Sequence, residues 1–265
     1  KAGLVTPGRR RFFAAAIFVG VGFLYYASNP RLPDAYKHHV YVADAWLHGR
    51  LAIEGAPAYY HDWIRVNGEV HSPFAPTPAI LLLPFVWWWG PGFNMNAFSM
   101  GIAGLNAALC WLLLLRAGVG GRRATLGAVI FGFGTVNWYS AIIGTTWFLS
   151  QLCGETFTLL ALLELFGKGR SPLIGSAFGF AILARPNVAT GLPGILLLLI
   201  DRYATRDGLR RFFDRHAFVR ALLFGLGLAL PESGAPMEGI RFVRQGRSVA
   251  ASFGAGASWA FRRTA

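Results

Sequence analysis

The feature that most constrains this chain is the recurrence of apolar blocks that approach the length of a membrane-spanning helix. A helix needs about 20 predominantly apolar residues to cross the hydrocarbon core of a bilayer. Of the 265 residues, 54% are hydrophobic and 14% are charged, and the mean hydropathy is +0.45. This composition is too apolar for an ordinary soluble domain. The sequence therefore predicts an all-α, multi-pass membrane protein that is embedded in a lipid bilayer.

The apolar blocks predict about seven spans, at residues 12–28, 94–115, 124–143, 146–166, 172–184, 192–200 and 217–230. A further apolar run, residues 79–89, is too short to cross the bilayer comfortably and ends in Trp87, Trp88 and Trp89. Consecutive tryptophans are typical of the membrane–water interface. We therefore expect this run to form a short re-entrant or interfacial helix.

The net charge of +13 comes largely from short basic clusters beside the apolar blocks. Basic residues beside spans mark the cytoplasmic side, so this pattern does not indicate a nucleic-acid partner. Arg9, Arg10 and Arg11 precede the first block, which predicts a cytoplasmic N-terminus and an outward-facing segment 29–78. Cys110 and Cys153 lie in predicted spans and indicate neither a disulfide framework nor a metal cluster.

These boundaries divide the chain into four parts. Residues 1–28 form the cytoplasmic N-terminus and first span, and residues 29–93 form an outer loop with an amphipathic helix and the short apolar helix. Residues 94–230 form the helical membrane bundle, and residues 231–265 form a basic tail without periodicity. Because the arginines of this tail would face outward, we expect the chain to be a fragment or to end in a segment that is out of frame.

Residues 29–78 are the only long polar interruption, and they contain five of the six histidines and five of the twelve acidic residues. Within residues 34–51 the apolar side chains recur at helical spacing, and Asp34, His38, Tyr41 and His48 fall on the opposite face. A short amphipathic helix after a span should lie flat on the outer surface, with its apolar stripe in lipid or on the bundle. Asp34 would then lie at the height of a lipid headgroup.

The order of four motifs along this topology resembles a known family. The motifs are PDAY at 33–36, ADAWLHGRL at 43–51, SPFAPTP at 72–78 and ARP at 184–186. The pattern over residues 10–230 resembles the GT-C superfamily of membrane glycosyltransferases, which includes protein O-mannosyltransferases and aminoarabinose transferases. Members usually have more spans and often a C-terminal outer domain, so the resemblance implies a truncated member.

The resemblance implies sugar transfer from a polyprenyl-phosphate donor to a lipid, glycan or protein acceptor, on the outer face of the plasma (inner) membrane. It implies that Asp34 is the general base that takes the proton of the acceptor hydroxyl. Asp34 also follows a proline at the start of a predicted helix, so its alternative role is that of an N-cap. Both roles are compatible.

The remaining candidates have equally simple alternatives. Arg185 could bind the donor phosphate, or it could be an anchor at the end of a span. His38 lies one turn after Asp34, and this pair could bind a divalent metal or orient the carboxylate, or His38 could make an ordinary polar contact. Asp62 and Glu69 could contact the acceptor or a metal, or they could be solvated loop residues.

Two other functions compete with sugar transfer. A lipid-linked-sugar flippase or transporter would place its site near the midplane on broken helices, usually within internal repeats. We find no convincing repeat, and the polar residues are concentrated outside the predicted spans. The other alternative is a truncated, non-catalytic membrane scaffold.

Overall fold

The computed structural model describes residues 7–29 and 36–207 together with Phe224, and these residues are mostly helical. The helices are α1 (Pro7–Ser28), α2 (His38–Leu47), α3 (Thr77–Trp89), α4 (Met95–Arg116), α5 (Gly121–Gly134), α6 (Val136–Ile143), α7 (Thr146–Leu165), α8 (Ser171–Ala184) and α9 (Leu192–Asp207). Two 3-10 turns, Gly90–Gly92 and Pro186–Gly191, follow α3 and α8. Two short strands, β1 (Ile64–Val66) and β2 (Glu69–His71), pair antiparallel.

Three described helices are long and apolar enough to cross a membrane: Gly8–Ser28, Met95–Arg116 and Thr146–Leu165. Helices α5 and α6 are bent by 51° at a short break and give a fourth crossing if they form one span. Helix α8 is apolar but has only 14 residues. The prediction of a helical membrane protein is confirmed, whereas seven spans are not shown and the block at 217–230 lies outside the described residues.

The polar segment is more ordered than its sequence indicates. Within residues 54–72, for which the sequence predicts no element, lies the β1–β2 hairpin, in which Ile64 pairs with His71 and Val66 with Glu69. Helix α2 begins at His38 and has 10 residues, whereas periodicity predicts a helix over 34–51. The short apolar helix is present as α3, and it packs against α2.

Helix α4 lies at the centre of the bundle and contacts α1, α5, α6 and α7. Its Gly104 lets α1 approach closely, because a Cβ there would lie 2.7 Å from the carbonyl oxygen of Phe18. The hydroxyl of Tyr25 on α1 donates to the carbonyl of Gly132 (2.7 Å) and accepts from the amide of Asn137 (2.8 Å). Small residues and buried polar contacts of this kind are typical of helix packing in membranes.

One end of the bundle carries the polar segment, and we call it the loop end. The amide of Asn29, just after α1, donates to the carbonyl of Ile142 near the end of α6 (2.7 Å). Thr146, at the start of α7, donates its backbone N–H to the carbonyl of Tyr36 (3.0 Å). The C-terminal end of α8, with Arg185, also lies here, because Thr77 at the start of α3 donates to a carbonyl in the last turns of α8.

The opposite end, the basic end, carries most of the described basic residues that flank the helices, whereas Lys37 and Arg185 lie at the loop end. Arg116 at the end of α4 donates to the carbonyl of Leu163 near the end of α7. The described cations at this end are Arg9, Arg10, Arg11, Arg116, Arg122, Arg123, Lys168, Arg170 and Arg202. The helical packing therefore segregates these basic residues from the polar segment.

Candidate functional site

The chain entering α2 is fixed to the start of α7. The carbonyl oxygen of Tyr36 accepts hydrogen bonds from the backbone N–H of Thr146 (3.0 Å) and from its hydroxyl (2.7 Å). The first N–H groups of a helix lack intrahelical partners, so this carbonyl satisfies one of them. The contact holds the beginning of α2 at the loop end.

His38 is joined to the same hydroxyl. Because the hydroxyl proton of Thr146 is donated to Tyr36, its oxygen accepts from the backbone N–H of His38 (3.1 Å) and from its Nδ1 (2.8 Å). The proton therefore lies on Nδ1, and Nε2 is an acceptor. Nε2 is buried and has no hydrogen-bond partner in the described part of the chain. Burial lowers the pKa of His38 to about 4, and the carboxylate of Asp62 partly offsets this effect.

Aromatic rings surround His38. The ring centroids of Trp63, Tyr60 and Phe74 lie 4.3, 4.6 and 5.0 Å from that of the imidazole. His38, which the sequence places on the face opposite the apolar stripe, is fully buried and makes a polar contact with Thr146. The aromatic residues after α2 fold over this helix and enclose that face.

His39 makes an equivalent contact one turn further along α7. The hydroxyl of Ser150 donates to the carbonyl of Thr146 (2.9 Å) and so accepts from Nε2 of His39 (2.9 Å). Burial, together with the nearby His38 and Arg185, lowers the pKa of His39 to about 3, and a backbone hydrogen bond at Thr146 partly offsets this effect. Both histidines are therefore neutral near pH 7 and attach α2 to α7.

Arg185 follows the last residue of α8 and is half-buried. Its stem packs on α7, since a Cβ on Gly154 would lie 3.7 Å from the Cβ of Arg185. Its guanidinium makes no hydrogen bond or ion pair with any residue from 7–29 or 36–207, and its Nε is buried without a partner. Burial lowers the pKa of Arg185 from its usual value. Among the described residues, the site thus contains a guanidinium without a counterion, beside neutral histidines.

The three carboxylates named from the sequence are placed differently. Asp62 is half-buried and near enough to His38 to influence its charge. Glu69 on β2 is exposed and lies 3.4 Å from His71 in the hairpin, and no described contact ties it to Arg185. Asp34 lies outside the described residues, but its described neighbours Asn29 and Tyr36 are both held at the loop end.

The described residues do not gather ligands for a metal. Over 7–29 and 36–207, no three His, Cys, Asp or Glu side chains come together in a way that could hold an ion. Nδ1 of His38 bonds to Thr146, and Nε2 of His39 bonds to Ser150. The divalent metal suggested by the Asp34–His38 spacing stays a prediction, because Asp34 lies outside the described residues.

Sequence reasoning missed His39, Thr146 and Ser150 as parts of this site. The spacing of Thr146 and Ser150, four residues apart at the start of an apolar block, places two hydroxyls on one helical face. The His38–His39 pair could have been matched to these hydroxyls, but the pairing spans more than 100 residues. Nothing in the local pattern indicates it.

Comparison with known proteins gives no further assignment: no protein-family model, curated protein or solved structure matches this chain.

Proposed function

We propose that this chain is a GT-C-type membrane glycosyltransferase that moves a sugar from a polyprenyl-phosphate donor to an acceptor on the outer face of the plasma (inner) membrane. The proposal includes about seven spans, a cytoplasmic N-terminus and an interfacial position for α3. The acceptor is a lipid, a glycan or a protein.

The observation that carries the proposal is the guanidinium of Arg185. A half-buried arginine without a counterion is favourable only where an anion reaches it or water solvates it. The planar guanidinium fits two oxygens of a phosphate. Its position at the loop end, just beyond an apolar helix, suits a phosphate whose polyprenyl chain stays in lipid.

The charge distribution supports the orientation. Most of the described basic residues that flank the helices lie at the end opposite Arg185, whereas Lys37 lies with Arg185 at the loop end. Such clusters favour the cytoplasmic side, so the loop end would face outward. A donor presented in the outer leaflet would then place its phosphate at the depth of Arg185.

The proposed reaction is a single inverting displacement. The acceptor hydroxyl oxygen attacks the anomeric carbon of the donor sugar from the face opposite the phosphate. The bond from that carbon to the phosphate oxygen breaks, and its electron pair leaves with the polyprenyl phosphate. Arg185 stabilises the charge that develops on the phosphate, and Asp34 takes the proton of the hydroxyl.

Sugar transfer in membranes tests the proposal. Membranes containing the chain are incubated with a panel of radiolabelled polyprenyl-phosphate sugars, and label is measured in lipid, glycan and protein fractions. We expect Arg185→Gln to reduce transfer at least about 100-fold, because a phosphate contact is lost. Arg185→Lys should retain part of the activity, because it keeps the charge without the bidentate geometry.

Two further variants make the test specific. Arg65→Gln changes an exposed arginine on β1, at the same end of the bundle, and should leave transfer unchanged. Asp34→Asn should reduce transfer about 100-fold or more if Asp34 is the base. Full activity in Arg185→Gln would contradict the phosphate role, and full activity in Asp34→Asn would redirect the search for a base to Asp62. A wild type that is present in membranes but inactive with every donor would refute the transferase.

A further inference from the structure

Glu155 is an acidic residue in the middle of a helix that is long enough to cross the membrane. It lies nine positions after Thr146 on α7, which corresponds to about 14 Å along the helix axis. It faces α4, where its contact residue Asn106 lies close to the midpoint of Met95–Arg116. Ionisable side chains at this depth are rare in membrane proteins because they are costly to keep there.

The side-chain amide of Asn106 donates one hydrogen bond to the carboxyl group of Glu155. Nδ2 of Asn106 donates to Oε2 of Glu155 (3.1 Å) and also to the carbonyl of Leu152 (3.0 Å). Oδ1 of Asn106 accepts from the hydroxyl of Thr156 (2.5 Å). Both N–H groups of Asn106 are therefore committed, and only one of them supports Glu155.

No cation compensates the carboxyl in the described part of the chain. Glu155 forms no ion pair with residues 7–29 or 36–207. The arginines of α1 and α4 (Arg9, Arg10, Arg11 and Arg116) lie at the basic end of these helices, and Ser171–Ala184 of α8 contains no titratable group. The titratable groups that interact electrostatically with Glu155 are Cys110 on α4 and Tyr25 on α1. Neither of these groups carries a positive charge.

We propose that Glu155 is a proton-binding site inside the membrane-spanning bundle, between α4 and α7. An ionised carboxylate at this depth, with one amide donor, would lack the hydrogen bonds and the counter-charge that offset the free-energy cost of burying a charge. Binding a proton removes the charge and keeps the contact to Asn106. The ligand is the proton itself, and the inference does not depend on the sugar-transfer proposal.

A hydrophobic carbodiimide tests for a protonated carboxyl in lipid. The acid gives its proton to a carbodiimide nitrogen, and the carboxylate oxygen then bonds to the central carbon to form an O-acylisourea. The acyl group migrates to nitrogen and leaves a stable N-acylurea on the side chain, with no other co-reactant. The protein in lipid vesicles is treated at about pH 8, where carboxyls in water are ionised, and the modified peptide is found by mass spectrometry.

Glu164 is the matched control, because it lies on the same helix at the basic end, 2.9 Å from Arg170. We expect Glu155 to be modified at least about ten-fold faster than Glu164, because only Glu155 is protonated within lipid. Glu155→Gln should abolish modification of that peptide. It should keep the thermal stability of the wild type, because glutamine preserves an uncharged acceptor for Asn106.

Two results would overturn the inference. One is equal or no modification of Glu155 by the hydrophobic reagent. The other is modification of Glu155 by a water-soluble carbodiimide with a charged amine, which would show an ionised carboxylate in an aqueous cavity. Since both experiments detect covalent adducts, they are independent of whether the chain transfers sugars.

Discussion

The attachment of α2 to α7 should be sensitive to acid, because it depends on two neutral histidines. Burial lowers the pKa of His38 to about 4 and that of His39 to about 3. In the unfolded chain both groups have the ordinary histidine pKa of about 6.5. Between these values the unfolded chain binds more protons than the folded one, so stability must decrease as the pH falls.

The size of the effect follows from the two titrations. Above about pH 6.5 the two histidines are neutral in both the folded and the unfolded chain, so they do not reduce the free energy of unfolding. At about pH 5 the folded histidines are still neutral while the unfolded ones are protonated, which costs about 2 kcal/mol for each histidine. The pair therefore destabilises the fold by about 4 kcal/mol at that pH, which corresponds to a decrease in Tm of roughly 10 °C for a chain of this size.

Intrinsic tryptophan fluorescence can measure this loss in detergent micelles, since Trp63 and Trp147 lie beside His38. The control is the double variant His38→Asn and His39→Gln, whose amides can donate to Thr146 and Ser150 without titrating. The other histidines remain in both proteins, so their contributions cancel. A double variant that loses as much Tm between pH 7.5 and pH 5 as the wild type would refute the reasoning.

Two substitutions within the bundle test its packing. Gly104→Ala should destabilise the α1–α4 contact by about 1–3 kcal/mol, because the added Cβ meets the carbonyl of Phe18. The control Gly101→Ala, which has open space around it, should be neutral or stabilising. The Tm measured by fluorescence should differ between the two variants, and equal Tm values would contradict the close approach. Tyr25→Phe should cost about 1–3 kcal/mol because it leaves the amide of Asn137 and a backbone carbonyl without the hydroxyl. An unchanged Tm of Tyr25→Phe in the same assay would show that these polar groups find other partners.

Much of the helical architecture follows from the sequence because lipid imposes a strong rule. A backbone in hydrocarbon must satisfy its own hydrogen bonds, so an apolar block of sufficient length becomes a helix. The predicted blocks at 94–115 and 146–166 differ from α4 and α7 by at most one residue at each end. The block at 124–143 is a bent pair, because Thr135 adopts an extended backbone between α5 and α6 and its hydroxyl accepts from the N–H of Asn137.

The polar segment was harder to predict because no such rule governs it. Helical periodicity assigned His38 to a polar face, since histidine counts as polar wherever it occurs in a pattern. Its burial depends on Thr146, Trp63 and Phe74, all of which come from other elements. The spacing of residues along the sequence indicates only the face of its own helix on which a side chain lies. It cannot reveal a buried contact with a distant helix.

Arg185 illustrates how the two kinds of information combine. Sequence alone left it as either a phosphate ligand or an anchor at the end of a span. The structure adds that the neighbouring histidines are neutral near pH 7, so Arg185 supplies the positive charge among the three. The histidines hold α2 in place, and the guanidinium, which pairs with no described residue, is left for the phosphate contact that we propose. Acid that protonates His38 and His39 would therefore have two opposing effects: it adds positive charge beside Arg185, and it weakens the attachment of α2 that shapes the site.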